Sequence, residues 1–121
     1  VTDVCVPISE LPGAVAHARA VIERHLLHGF VLGHVGDGNY HAGFMLDPAD
    51  AESVAQAQVV SDEIVDYALA RGGTCTGEHG IGIGKRKHLR RQHPDLIPYM
   101  ARIKHAFDPN SILNPGKLFA D

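Results

Sequence analysis

The chain has 121 residues, is 45% hydrophobic and 21% charged, and carries a formal net charge of −3. That length leaves room for one domain with a modest core, no apolar run is long enough to cross a bilayer, and the acidic balance excludes a general electrostatic affinity for nucleic acid. Nine histidines in so short a chain direct attention to metal or proton chemistry.

The chain opens directly on a strand, residues 1–8, as a piece of a longer protein would, with Val4, Val6 and Ile8 on one face and Pro7 and Pro12 closing it. Residues 12–28 repeat Val15, Ala18, Ile22 and Leu26 at helical spacing, and Gly29 is the natural C-cap. Two strands, 30–35 and 39–46, flank Asp37-Gly38, a dipeptide suited to a two-residue hairpin turn. Asp47-Pro48 starts a second helix with the stripe Val54, Ala57, Val60, Ile64 and Tyr67, ended by Gly72-Gly73. Residues 72–84 are too rich in glycine for a regular element and read as a functional loop. A short basic helix follows over 85–92, then a helix opened by Pro94 with the stripe Leu96, Met100, Ile103 and Phe107, and a tail turned back at Asn114-Pro115-Gly116. The order β-α-β-β-α is the greater part of a split βαβ, ferredoxin-like unit. The expected class is therefore α+β: an antiparallel sheet with packed helices, then a glycine-rich loop and a C-terminal helical segment.

A turn centred on Asp37-Gly38 sets Gly36 opposite Asn39, Val35 opposite Tyr40 and His34 opposite His41. Directly opposed residues hold their β-carbons roughly 4.5–5.5 Å apart, so the two imidazoles can close on one divalent cation. Phe30 and Leu32 share the face of His34, which predicts that this face is partly buried. Glu78 is a candidate third ligand, and two histidines plus a carboxylate leave an open position, as catalytic rather than structural sites do. The plainer alternatives are two polar residues on a solvated hairpin and a solvated loop pair at Glu78 and His79, which on an extended loop point to different sides. Asp37 and Asn39 read as turn residues, and Met45, Met100 and the aromatic residues as core.

The glycine loop is not a nucleotide cradle. The position six before Lys85 is His79 rather than glycine, Arg86 stands where a Walker motif needs Ser or Thr, and Lys85 replaces the third glycine of a dinucleotide fingerprint. Lys85, Arg86, Lys87, Arg90 and Arg91 form a basic run, either a solvated helix face or, at Lys85 or Arg86, a contact to an anionic substrate or partner. Cys5 and Cys75 make no Cys-x-x-Cys pair and read as reduced thiols of a cytoplasmic protein, and no base-orienting group serves Cys75 as a nucleophile.

Four blocks, Thr2-Asp3-Val4-Cys5-Val6-Pro7-Ile8-Ser9, the run from Gly33 to His41, Gly73-Thr74-Cys75-Thr76-Gly77-Glu78-His79-Gly80-Ile81-Gly82 and Leu113-Asn114-Pro115-Gly116-Lys117, resemble in order the C-terminal part of FAD-linked 2-hydroxy-acid dehydrogenases. These belong to the vanillyl-alcohol-oxidase superfamily and include cytochrome-type D-lactate dehydrogenase, the glycolate oxidase flavoprotein subunit and D-2-hydroxyglutarate dehydrogenase. The resemblance implies that residues 1–121 are a C-terminal substrate (cap) domain, with FAD held mainly by a domain outside this chain. It implies His34, His41 and Glu78 as ligands of a divalent metal, His79 as the base and Asn114 beside the flavin; mixed nitrogen and oxygen ligands suit zinc, manganese or iron, and in such a site Lys85 or Arg86 of the basic run would serve the substrate carboxylate. The implied reaction is oxidation of a D-2-hydroxy acid to the 2-oxo acid with metal-assisted deprotonation and hydride transfer to FAD. The implied partners are a small 2-hydroxy acid, an electron acceptor such as a cytochrome, a quinone or electron-transfer flavoprotein, and a second copy in a homodimer. The expected location is cytoplasmic or peripheral at the inner membrane. A divalent-metal-binding module or metal-dependent hydrolase is the alternative from another class; it would bind metal and act without flavin. A module that docks a partner through its loop and basic run would need no metal.

Overall fold

A computed structural model describes residues 1–119. The chain divides into two compact units, one from Val1 to Gly80 and one beginning at Ile81. In the first, β1 (Thr2–Cys5), α1 (Leu11–Arg24), β2 (Gly29–His34), β3 (Asn39–Phe44) and α2 (Ala51–Ala70) follow in the expected order. The strands form one antiparallel sheet in the order β1-β3-β2. After α2, Thr74 returns to β1 and makes a single antiparallel bridge with Cys5, its N–H donating to the Cys5 carbonyl at 2.8 Å. The fourth strand of a split βαβ unit is thereby reduced to one residue pair beside β1.

The side-chain period of two gives the sheet two distinct faces. Val4, Tyr40 and Ala42 occupy the inner face with α1 and α2, whose buried residues include Ala14, Ala18, Val21, Val60, Ile64 and Ala68. Asp3, Asn39 and His41 lie on the outer face, as do Phe30, Leu32 and His34 of β2. β2 is the sheet edge, and its Phe30 and Leu32 are exposed, so the burial expected around His34 is absent on that strand. The two helices lie on the other side, and the Phe30 ring spends its contact on Gly43 across the ladder.

Three further boundaries differ from expectation. β1 ends at Cys5, and Ile8 is exposed in a 3-10 turn, Ile8–Glu10. α1 stops at Arg24 because Leu26 takes a left-handed conformation (φ 55°), which leaves Gly29 as the first residue of β2. α2 begins at Ala51, capped by the Asp50 carboxylate, which accepts from Glu52 N at 3.1 Å and Ser53 N at 3.3 Å. Asp47 instead accepts from Ala49 N, which closes a local turn ahead of the helix.

The hairpin register is shifted by two residues. A 3-10 turn, Val35–Asp37, and the left-handed Gly38 make a four-residue loop, so His34 pairs with Asn39 and His41 with Leu32. Gly38 combines φ 73° with a β-carbon position 2.0 Å from the Val6 carbonyl, and only glycine fits. Asn39 is thus the first residue of β3, buried, rather than part of the turn.

The second unit carries α3 (Arg86–Gln92) and α4 (Ile97–Phe107). α4 has the predicted stripe but buries none of it, with Leu96, Ile103 and Phe107 all exposed. Its tail does turn back: the buried Asp108 carboxylate pairs with Lys104 and accepts from Ile112 N and Leu113 N, both at 3.0 Å. The Lys104 hydrogen bond, against the opposing effect of burial, holds the Asp108 carboxyl below the ordinary carboxylate range.

Candidate metal centre

His34, His41 and Glu78 bring one ligand atom each within 4.8 Å of one another on the outer face of the sheet. Because a two-residue register shift preserves the face, the two histidines remain neighbours, now on a diagonal, with ring centroids 5.9 Å apart and planes nearly perpendicular. Glu78 Oε1 lies 3.0 Å from His41 Nε2 and 3.5 Å from His34 Nε2. His41 forms the buried floor, while His34 and Glu78 stand exposed at the rim. His79 also turns inward: its Nε2 lies 3.4 Å from Glu78 Oε1 and its ring centroid 5.2 Å from that of His41. The opposite orientations expected of adjacent loop residues do not occur, because the loop is curled rather than extended.

What curls the loop is Asp3, a residue that composition and spacing did not single out. Its Oδ2 accepts from three consecutive backbone N–H groups, Gly77 at 2.9 Å, Glu78 at 3.1 Å and His79 at 3.1 Å, and from the Thr76 hydroxyl at 2.9 Å. Its Oδ1 accepts from Asn39 Nδ2 at 2.7 Å. Burial alone would raise this carboxyl's pKa; the Asn39, loop-backbone and Thr76 hydrogen bonds outweigh it and hold the group well below the usual carboxylate range. A charged residue inside an otherwise buried strand is the sequence signal that marked it, since buried charges are kept only when paired. Gly77 is required by this packing: a β-carbon there would sit 1.6 Å from Asn39 Nδ2.

The donor set suits a divalent cation. His41 Nδ1 is buried 3.3 Å from Asp3 Oδ1 without meeting hydrogen-bond geometry; the adjacent carboxylate charge still favours the proton on Nδ1 and leaves the Nε2 lone pair toward Glu78. Two acceptors 3.0 Å apart are held together by a proton or a metal between them. The 3.0 and 3.5 Å separations also bracket the roughly 3.4 Å edge of a tetrahedron with bonds of about 2.1 Å. Two imidazoles and a carboxylate fit zinc, manganese or iron.

The remaining expected site residues belong to the second unit. Lys85 is the N-cap of α3, and Arg86 donates from Nε to the Ile83 carbonyl at 3.5 Å. Asn114, at φ 46°, lines a cavity of about 670 Å³ with Lys104, Phe107, Leu113 and Lys117. Cys75 is buried and Cys5 half-buried, and neither is in a disulfide. Burial, then the charges of Asp3 and Asp37, push the Cys5 thiol's pKa up, which makes it a poorer nucleophile.

The family described as FAD linked oxidases, C-terminal domain, matches residues 1–118. The chain is 45% identical over 118 residues to "Probable D-lactate dehydrogenase, mitochondrial" of Danio rerio, covering 97% of this chain and 24% of the relative. It is 42% identical over 119 residues to "D-lactate dehydrogenase (cytochrome), mitochondrial" of Arabidopsis thaliana, covering 98% and 21% respectively. To "Glycolate oxidase subunit GlcD" of Bacillus subtilis it is 36% identical over 119 residues, covering 98% and 25%. The chain thus spans about a quarter or less of the length of these relatives. Two of the names carry a mitochondrial location, which departs from the cytoplasmic one expected from the thiols. Among the described residues no helix is long and apolar enough to cross a membrane.

Proposed function

The chain belongs to the FAD linked oxidase C-terminal domain family, and from that premise we propose that it is the C-terminal, substrate-handling part of a flavoenzyme that oxidises a D-2-hydroxy acid of the lactate, glycolate or 2-hydroxyglutarate type to the 2-oxo acid. The observation that carries this reading is the convergence of His34, His41, Glu78 and His79 on one face of the sheet. His34, His41 and Glu78 hold a divalent cation, with the rim open to a substrate. When bound, the cation makes the substrate hydroxyl more acidic and the flavin accepts the hydride released from the α-carbon. His79, exposed and next to Glu78, takes the hydroxyl proton on its imidazole. His41, locked between β1 and the loop, fixes the floor on which substrate is oriented. Asn114 faces the flavin, and Lys85 or Arg86 contributes a positive charge for the substrate carboxylate. The acceptor of the flavin's electrons is a cytochrome, a quinone or electron-transfer flavoprotein. The protein is peripheral at a membrane that houses that acceptor and assembles as a homodimer.

The test is anaerobic flavin reduction in the full-length protein with D-lactate, glycolate and D-2-hydroxyglutarate in turn. His79→Ala is expected to slow flavin bleaching by about 10²–10⁴-fold at unchanged flavin content. A combined His34→Ala, His41→Ala variant is expected to lose the metal on elemental analysis. Unchanged bleaching in the first variant, or retained metal in the second, would remove the respective assignment.

A further inference from the structure

We propose that Asp3 is the positioning residue of this centre, one carboxylate that sets both the loop carrying Glu78 and the tautomer of His41. Three successive N–H groups aimed at one oxygen form an anion-binding nest of the kind that elsewhere takes a phosphate or other anion; here the anion is the chain's own side chain on β1. The second oxygen of the same carboxylate faces Asn39 Nδ2 and His41 Nδ1. Glu78 and His41 sit on different elements, 37 positions apart, and Asp3 is the group that both lean on.

The chemistry demands a carboxylate. An asparagine offers one acceptor and one NH₂ donor. Whichever way it turned, the NH₂ would confront either the three loop N–H groups or Asn39 Nδ2 and His41 Nδ1, donor against donor. A glutamate is too long: Asp3 Oδ2 already lies 2.9–3.1 Å from the Gly77, Glu78 and His79 nitrogens, so another methylene would drive the carboxylate into the loop backbone. Asp3 touches neither substrate nor flavin in this account. It acts through His41 and Glu78, and in its metal-affinity arm the inference rests on the function proposed above.

Asp3→Asn in the full-length protein, compared with wild type at pH 8, tests it by three readouts. Amide hydrogen exchange at Gly77, Glu78 and His79 should accelerate about tenfold or more, since the shared carboxylate oxygen is replaced by a weaker neutral amide oxygen or by an NH₂ group. The ¹⁵N shifts of the His41 ring should move from the Nδ1–H tautomer toward the Nε2–H tautomer. Competition with a chromophoric chelator should show Co²⁺ bound about 10–100-fold more weakly, with an altered d–d spectrum. Thr76→Val, which removes one donor to Asp3 and leaves the charge, should shift the same exchange rates in the same direction by less, and it decides the matter if Asp3→Asn does not fold. Wild-type exchange and an unchanged His41 tautomer in a cooperatively folding variant would overturn the proposal. The first two readouts are taken without metal, so a wild-type protein that binds no Co²⁺ would sink the metal reading while the role of Asp3 is still decided.

Discussion

On the inner face of the sheet Val4, Tyr40 and Ala42 are at most 1% exposed; on the outer face Asp3, Asn39 and His41 are 3–6% exposed. Over β1 and β3 the sheet is therefore almost equally dry on both sides, by opposite means. Inside, two helices cover apolar groups that need volume and no partner. Outside, a short loop covers polar groups, each of which costs free energy unless matched. The difference teaches where each face is vulnerable: the inner one to a change of size, the outer one to a change of donor or acceptor.

Tyr40→Ala gives the largest effect. It empties a fully buried aromatic site between sheet and helices and should cost about 3–5 kcal/mol in urea unfolding; a loss below about 1 kcal/mol would break the contrast from the inner side. Gly77→Ala comes next. Its methyl would collide with Asn39 Nδ2 and lift the loop, at about 1–3 kcal/mol, with Glu78 carried away and metal content lost on elemental analysis. Tyr40→Phe should have the smallest effect. Among the described residues the buried Tyr40 hydroxyl has no hydrogen-bond partner, and burial raises its pKa. Its removal should therefore leave the unfolding midpoint unchanged or slightly raised. A loss of more than about 1 kcal/mol would mean that the inner face also depends on polar matching.

The helical part of this design was legible because periodicity reports burial directly. The stripes through Ala18 and Ile22, and through Ala57, Val60 and Ile64, are the buried faces of α1 and α2. Ends were less legible, since Asp47 and Asp50 both precede α2 and only geometry shows that Asp50 is the cap. The expected pairing of His34 with His41 was wrong, but the two stay neighbours on one face because the register error was two residues, an even number, which changes the partner and keeps the face. Had it been one, the two histidines would stand on opposite faces of the sheet. The burial of the β2 face could not be read from its own apolar residues; nothing in the strand says which side the helices take. Nor does the stripe of α4 say whether anything within these residues covers it. Asp3 left one local sign, a charge inside an otherwise buried strand, but its partners left none, because its four loop contacts span more than seventy positions.

The single bridge between Cys5 and Thr74 has a consequence for how this segment can change in length. It pins the chain four residues before Glu78, so the stretch between them works as a ruler with its zero mark on the sheet. One residue inserted there would advance the carboxylate by about 3.3 Å if extended, more than the length of a metal–ligand bond of roughly 2.1 Å. Substitutions along the ruler can be graded, but its length is all or nothing.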